Sequence, residues 1–338
     1  MRLSVLDQSP IPEGQTGSQA LRNTLDLARA ADRLGYHRYW VAEHHGGGML
    51  AGPAPEVLIG PIASVTERIR VGSGGVMLPH YSPLKVAESF SLLSGLFPGR
   101  IDLGIGRASG TDPVTTHVLQ RDRRQAPPDD FFEQLAELLA YLEDRFPDDH
   151  PLKRLTALPG LPESPETWLL GSSPQSAIWA ADLGMPYAFA DFINSDGGVE
   201  IARLYRERFA DSERLLTPRT AVAVWAIAAE TGEEAERLAY SSRMAMAMLR
   251  RGRLIAVPPV EKAELFLKGE GLLDKPAGRR LVLGTPDEVR AEIEQVAADY
   301  HADEVIVVSI TFDHEARRRS YELIAEAFAL GASRPLAA

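Results

Sequence analysis

Cysteine is missing from this chain of 338 residues, so disulfide bonds, thiolate nucleophiles and metal sites with cysteine ligands are all excluded. Basic residues are outnumbered, with 36 Lys and Arg against 47 Asp and Glu, and the net charge of −11 disfavours a nucleic-acid partner. No apolar run approaches the roughly 18 residues of a membrane-spanning helix, and the N-terminal residues do not form a signal peptide. We therefore expect a cytoplasmic protein with neither nucleic-acid nor membrane partners.

Short runs of branched residues alternate with longer amphipathic stretches about eight times along the chain. The predicted strands lie at residues 2–6, 38–42, 69–77, 101–106, 167–170, 186–190, 220–228 and 304–309. Between them, a strong helix start places Thr285 at the N-cap, Pro286 at the first helical position and Glu288 at the third. Strands that alternate with helices in this way favour an α/β fold with a parallel sheet.

The number of these units favours a TIM (β/α)8 barrel over an open doubly wound sheet. No predicted strand is followed by Gly-x-Gly-x-x-Gly, which weakens a dinucleotide-binding prediction. We expect a single domain over residues 1–332 and a frayed tail at 333–338. Two stretches exceed a minimal barrel, at about 111–165 after strand 4 and 251–283 after the helix that follows strand 7. Loops of that length are usually lids or insertions.

In a parallel barrel the functional residues follow the strands, so the segments after each strand are the candidates. Ser173-Pro174 reads as a helix start, where the hydroxyls of Ser172, Ser173 and Ser176 gather beside unpaired backbone N–H groups. Arg107 can supply a cation for a phosphate at that position. Alternatively, Ser173 is only a helix cap and Arg107 is paired with Asp102 or Glu88.

Two adjacent histidines, His44 and His45, follow strand 2. Neighbouring residues of a strand project to opposite sides, so at most one of them is expected to face the barrel mouth. A metal site would need further ligands at other strand ends, where Asp7 and Asp191 are the acidic candidates. We expect no metal.

Several motifs, in order along nearly the whole chain, resemble those of the bacterial luciferase-like flavin monooxygenases. The segments that carry the resemblance are YWVAEHH at 39–45, VGSGGVMLP at 71–79, PLKVAE at 83–88, GRIDLGIGR at 99–107, GSSPQS at 171–176 with WAA at 179–181, and GTP at 284–286. The resemblance implies a barrel that binds FMN at its mouth as FMNH2, which a separate NAD(P)H:flavin reductase supplies. It further implies a homodimer, and a reaction in which O2 forms a C4a-hydroperoxide that passes one oxygen atom to an organic substrate.

The same resemblance assigns roles to individual residues. His44 matches the catalytic histidine beside the flavin, and Gly74-Gly75 matches the position of a non-proline cis peptide under the ring system. The residues that match cofactor-binding positions are Gly74, Gly75, Arg107, Leu170, Ser172, Ser173 and Ser176. For the substrate pocket we expect Gln8, His45, Phe192 and Trp225, although Trp225 is equally well explained as barrel packing. If Arg107 does not bind the phosphate, the Thr285-Pro286 helix start is the alternative site.

Residues 251–282 correspond in the resembling family to a mobile loop that shields the reduced flavin from water. The segment has no long apolar stripe to hold it on the barrel, so we expect it to move; a well-packed insertion is the alternative. For the reaction we expect hydroxylation or epoxidation of a small, polyketide-like molecule of secondary metabolism. Two other functions stay open: an F420-dependent hydride-transfer oxidoreductase on the same barrel, and a non-catalytic flavin-binding protein.

Overall fold

Eight parallel strands close into a barrel in the computed structural model, which describes residues 1–107, 112–120, 122–125, 129–159, 164–273 and 279–333. The described residues form nine strands, of which all but β8 belong to the barrel: β1 (Arg2–Asp7), β2 (Arg38–Val41), β3 (Arg70–Met77), β4 (Ile101–Gly106), β5 (Glu166–Gly171), β6 (Tyr187–Phe189), β7 (Thr220–Ala228), β8 (Val282–Gly284) and β9 (Glu304–Val308). The barrel follows chain order from β1 to β7, and β9 closes it by pairing with both β7 and β1. The predicted TIM (β/α)8 barrel is confirmed.

Helices surround this barrel and connect consecutive strands. They are α1 (Gly17–Leu34), α2 (Pro55–Ser64), α3 (Pro83–Leu96), α4 (Pro113–Leu119), α5 (Phe131–Glu143), α6 (Pro174–Asp182), α7 (Gly198–Arg208), α8 (Gly232–Arg250), α9 (Val260–Gly269), α10 (Pro286–Asp299) and α11 (His314–Ala327). At the start of α10 the predicted capping box of Thr285 and Glu288 is present. Across the described part of the chain, no helix has both the length and the apolar character needed to span a bilayer.

A buried charge network fills the end of the barrel where the strands begin. The guanidinium of Arg38, which is 1% exposed, donates at 2.8 Å to both Asp102 Oδ2 and Glu304 Oε1. Asp102 also accepts a hydrogen bond from Trp40 Nε1 at 2.9 Å. Every charge named in this network has a partner, so the network closes the end of the barrel where the strands begin. The cavities described below lie at the opposite end.

The stretch 251–283 is more ordered than its sequence suggests. It contains α9 and the short strand β8, which pairs with β7 and was not predicted because three residues carry no readable pattern. Ala263 and Leu267 of α9 are buried, and Val257 exchanges backbone hydrogen bonds with Ile11 and Glu13. Two short contacts therefore hold this segment on the barrel, in place of the long apolar stripe that it lacks.

Parts of the predicted insertions and tail lie outside the described residues, namely 111, 121, 126–128, 160–163, 274–278 and 334–338. The mobility expected for residues 251–282 stays a prediction, which limited trypsin digestion with and without reduced FMN tests.

Candidate active site

Two adjoining cavities open at the end of the barrel where the strands finish. The smaller has a volume of about 930 Å³ and the larger about 1520 Å³, and both volumes include space that is open to solvent. Four residues line both cavities: Gly74, Met77, Phe192 and Ile193. A ligand can therefore extend from one into the other.

All seven predicted cofactor-binding residues line the smaller cavity, whose polar end is the start of α6. Ser173 is the N-cap of this helix and Pro174 its first residue, as predicted, but the Ser173 side chain does not bond the helix amides. Ser176 Oγ donates to Ser173 O at 2.8 Å and lies 3.1 Å from the Tyr187 hydroxyl. The helix start, with its positive dipole end and uncapped N–H groups, is thus available to an anion.

Arg107 directly follows β4 and lies beside this helix start. Its guanidinium is 5.5 Å from the ring centre of Trp179. The alternative of an ion pair with Asp102 or Glu88 is wrong. Asp102 is taken by Arg38 and Arg70, and Glu88 by Lys85. The charge of Arg107 has no acidic partner among the residues described.

Backbone, not side chains, forms the wall at Gly74 and Gly75. The peptide bond between them is cis, as the resemblance implies. A Cβ atom at Gly75 would lie 2.6 Å from the carbonyl oxygen of Gly104, and one at Gly74 would lie 2.6 Å from Leu6 Cδ1. Neither position has room for a side chain. A wall of this kind, next to an anion site, fits a flat ring system that carries a phosphate.

The histidines line the larger cavity, and their partners differ. His45 Nε2 lies 2.7 Å from Glu43 Oε1, and the backbone N–H of Met77 donates to Glu43 Oε2 at 2.9 Å. His44 Nδ1 is buried with no hydrogen-bond partner. Burial, and then the charge of His45, lowers the pKa of His44 to about 4, so this imidazole is neutral at physiological pH.

Both histidines face the same cavity, so the expectation that at most one would do so is wrong. The reason is that β2 ends at Val41. His44 and His45 lie beyond the strand, where side chains no longer alternate between two faces.

Gln8, Phe192 and Trp225, the other predicted pocket residues, also line the larger cavity. Trp225 is only 4% exposed and donates from Nε1 to Phe192 O at 3.1 Å, so it belongs to the packed barrel and to the cavity wall at once. Gln8 lies between Asp7 and Ser9, and the backbone N–H of Ser9 donates to the buried Asp7 carboxylate at 2.8 Å.

Sequence reasoning missed three charged residues of the larger cavity, Glu43, Asp112 and Arg279. Glu43 lay inside a quoted motif, and its position two residues before His45 was the available signal. Asp112 and Arg279 lie outside every quoted motif. The alternative phosphate site at the Thr285 helix start is taken by a side chain of the protein, because the Glu288 carboxylate accepts from Thr285 N at 2.8 Å. The described residues include no group of three potential metal ligands.

Comparison with known proteins agrees with this geometry. The family described as luciferase-like monooxygenase matches residues 1–329. A protein of Escherichia coli K12 named luciferase-like monooxygenase is 41% identical, over 95% of each chain. The N-acetyl-S-alkylcysteine monooxygenase of Bacillus subtilis is 39% identical, over 97% of this chain and 98% of its own.

Solved structures are similar over the whole chain. The crystal structure of apo-MsnO8 covers 97% of this chain and 98% of its own, with a TM-score of 0.88 and 42% identity. More distant structures share the fold: the oxygenating constituent of 3,6-diketocamphane monooxygenase from Pseudomonas putida, in complex with FMN, has a TM-score of 0.71 at 20% identity and covers 100% and 99% of the chains. An F420-dependent secondary alcohol dehydrogenase has a TM-score of 0.64 at 14% identity, over 96% and 98%.

Proposed function

Since this chain belongs to the family of luciferase-like monooxygenases, we propose that it uses FMNH2 and O2 to insert one oxygen atom into a small organic substrate. The observation that carries this proposal is the pairing of two sites across Gly74: a cradle that fits a phosphorylated ring system, and a buried neutral histidine in the adjoining cavity. A separate NAD(P)H-dependent reductase would deliver the reduced flavin.

The smaller cavity would hold FMN. Arg107 and the start of α6, with Ser172, Ser173 and Ser176, would bind its phosphate, while Leu170 and the backbone at Gly74-Gly75 would contact its ring system. When bound, reduced FMN supplies the electrons that activate O2. The glycine backbone allows the ring system to lie flat against the wall.

His44 would handle the proton in this reaction. Its neutral imidazole can accept a proton and return it to a developing oxyanion or hydroxide, and its buried Nδ1 has no hydrogen-bond partner that would hold the ring in one protonation state. His45 is bonded to Glu43, so it supports the wall rather than competing for this proton. Phe192 and Trp225 provide apolar surface that binds substrate and keeps water away.

Hydroxylation or epoxidation remains our proposal for the outcome, and secondary metabolism for the setting. We also propose a homodimer, with the exposed apolar residues Val57, Leu92 and Leu96 of α2 and α3 at the contact, which sedimentation measurements test. F420-dependent hydride transfer is the competing cofactor chemistry, and only a direct comparison of the two cofactors separates them.

That comparison is an anaerobic titration of the apoprotein with reduced FMN and reduced F420 in parallel, followed by oxygen uptake. The proposal expects tight binding of FMNH2 and oxygen uptake. Tight binding of F420 alone, without oxygen uptake, contradicts it.

A variant locates the phosphate. A charge-assisted contact contributes about 1.5–3 kcal/mol, so Arg107→Ala should weaken FMN by about 10- to 100-fold and leave riboflavin nearly unchanged. Arg124→Ala, an exposed arginine bonded to Asp122, is the matched control. Equal weakening of FMN and riboflavin would show that Arg107 only supports the fold.

A further inference from the structure

We propose that the substrate carries a carboxylate and that Arg279 binds it; this rests on the proposed function, in which the larger cavity receives the substrate. Arg279 lines that cavity together with Trp225 and Met246, on the wall formed by the segment before β8. Most of the other residues that line this cavity are apolar, and the guanidinium of Arg279 lies at one end of it.

The partners of Arg279 are neutral. Its Nη1 donates to the backbone oxygen of Phe192 at 2.9 Å, and its Nη2 lies 3.3 Å from the sulfur of Met246. Within the described residues it has no carboxylate partner. The contrast with its neighbour is direct, because Arg280 Nε lies 3.3 Å from Oδ2 of the fully buried Asp191.

The two fully buried arginines of the described residues are paired with carboxylates too. Arg38 is paired with Asp102 and Glu304, and Arg317 with Asp7. A half-buried guanidinium held only by neutral acceptors is costly, and a carboxylate brought by a ligand would offset that cost.

Among the described residues two acids line the larger cavity, and both already have partners. Glu43 accepts from His45 and from Met77 N, and Asp112 caps α4 by accepting from Val114 N and Thr115 N. Neither is bonded to Arg279. The positive charge is therefore left to a molecule that enters the cavity.

Neighbouring charge adds to this preference. Arg279 also lines a third cavity, next to the larger one, together with Arg243 and Arg250. Burial, followed by the charge of Arg250, lowers the pKa of Arg279, which means that its cationic form is destabilised in the protein alone. An anion at this position would relieve that destabilisation, whereas a second cation would add to it.

The chemistry specifies a molecule with an apolar body and one carboxylate, which binds by a two-pronged contact with the guanidinium. An N-acetyl-S-alkylcysteine has this form, as do medium-chain and arylalkyl carboxylic acids. The apolar body would extend along Phe192 and Trp225 toward His44, the other end of the same cavity.

The test compares acids with their neutral amides on the apoprotein, by calorimetry, so that it does not depend on turnover. Three pairs serve as probes: octanoate and octanamide, 3-phenylpropanoate and its amide, and N-acetyl-S-butylcysteine and its carboxamide. We expect at least one acid to bind about 10- to 100-fold more tightly than its amide, the size of a charge-assisted contact. If no acid in the three pairs is preferred, the proposal is overturned.

Variants assign the preference to the residue. Arg279→Met should remove the preference for the acid, Arg279→Lys should keep part of it, and Arg253→Met, an exposed arginine three residues after α8, should leave it intact. A preference that survives in Arg279→Met overturns the assignment. FMN binding measured on the same samples separates this result from the proposed function, because loss of the acid preference with intact FMN binding concerns Arg279 alone.

Discussion

His44 and His45 are neighbours with different duties, which their hydrogen bonds define. His45 is tied to Glu43 at 2.7 Å, and the same carboxylate holds the end of β3 through Met77 N. His44 keeps a buried nitrogen without a partner. His44 can therefore exchange a proton, whereas removal of the His45 side chain would loosen the cavity wall.

Replacing His44 by alanine should lower turnover about 10²- to 10⁴-fold, the usual effect of losing a general acid or base, with FMN affinity nearly unchanged. His45→Ala is the matched comparison: we expect a smaller loss of turnover and a larger drop in melting temperature, because the buried Glu43 then loses its partner at Oε1. Steady-state oxygenation, flavin titration and thermal melts measure these effects. Small and equal effects of both changes on turnover would remove His44 from the mechanism.

The chain between α8 and α9 crosses the mouth of the larger cavity. Leu254 and Gly252 line the cavity from this side, and Gly47 lines it from the loop after β2. The approach is close, since a Cβ atom at Gly47 would lie 2.7 Å from Leu254 Cδ1. Leu254 therefore lies over the mouth of the cavity, and we expect it to limit the access of water to the site.

Leu254→Ala should leave the fold intact and raise the share of oxygen that is released as hydrogen peroxide rather than transferred to substrate. Better water access at the mouth is the physical reason. Leu265→Ala, which removes a 73% exposed leucine from α9, is the control and should leave this share unchanged. The ratio of peroxide to oxygenated product is the measurement, and an unchanged ratio in Leu254→Ala would show that the cover does not limit water.

Elements were predictable from the sequence where burial is continuous. Strand β7 is buried at every one of its nine residues, so it stands out as an apolar run. Strand β8 did not stand out, because its three residues are too few to carry a readable pattern. In the site, glycines, serines and histidines that follow strands were readable as motifs. The position of Arg279 depends on Phe192 and Met246, which are 87 and 33 residues away, and no local pattern encodes such a contact.

Stability of the whole molecule should depend on two histidines whose pKa is lowered in the folded chain. Burial, and for His37 also the nearby Arg38, lowers the pKa of His44 to about 4 and that of His37 to about 3. The unfolded chain takes up protons at these groups from about pH 6.5 downward, while the folded chain does not. Their contribution to the free energy of unfolding is therefore complete above about pH 6.5 and declines as the pH falls toward 4.

Each such group contributes a slope of up to about 1.4 kcal/mol per pH unit in that window. We expect His44→Gln to flatten the decline of unfolding free energy between pH 6.5 and 4.5, measured by urea denaturation at several pH values. His117→Gln, an exposed substitution on α4, should follow the wild type. If the His44→Gln and wild-type curves are parallel throughout, the buried neutral state of this imidazole is wrong.

The closure of the barrel by β9 has a consequence for biosynthesis. During translation, β1 emerges first and its outer edge waits for a partner that is encoded some 300 residues later, with Glu304 opposite Arg2. Asp7, which precedes the cavity residue Gln8, likewise gains its cationic partner only when Arg317 has left the ribosome. A nascent chain therefore holds most of the barrel without a formed pocket, and exposed strand edges must be protected until the end of synthesis. A ribosome that stops before the last strand would release an inert, aggregation-prone fragment rather than a weakly active enzyme.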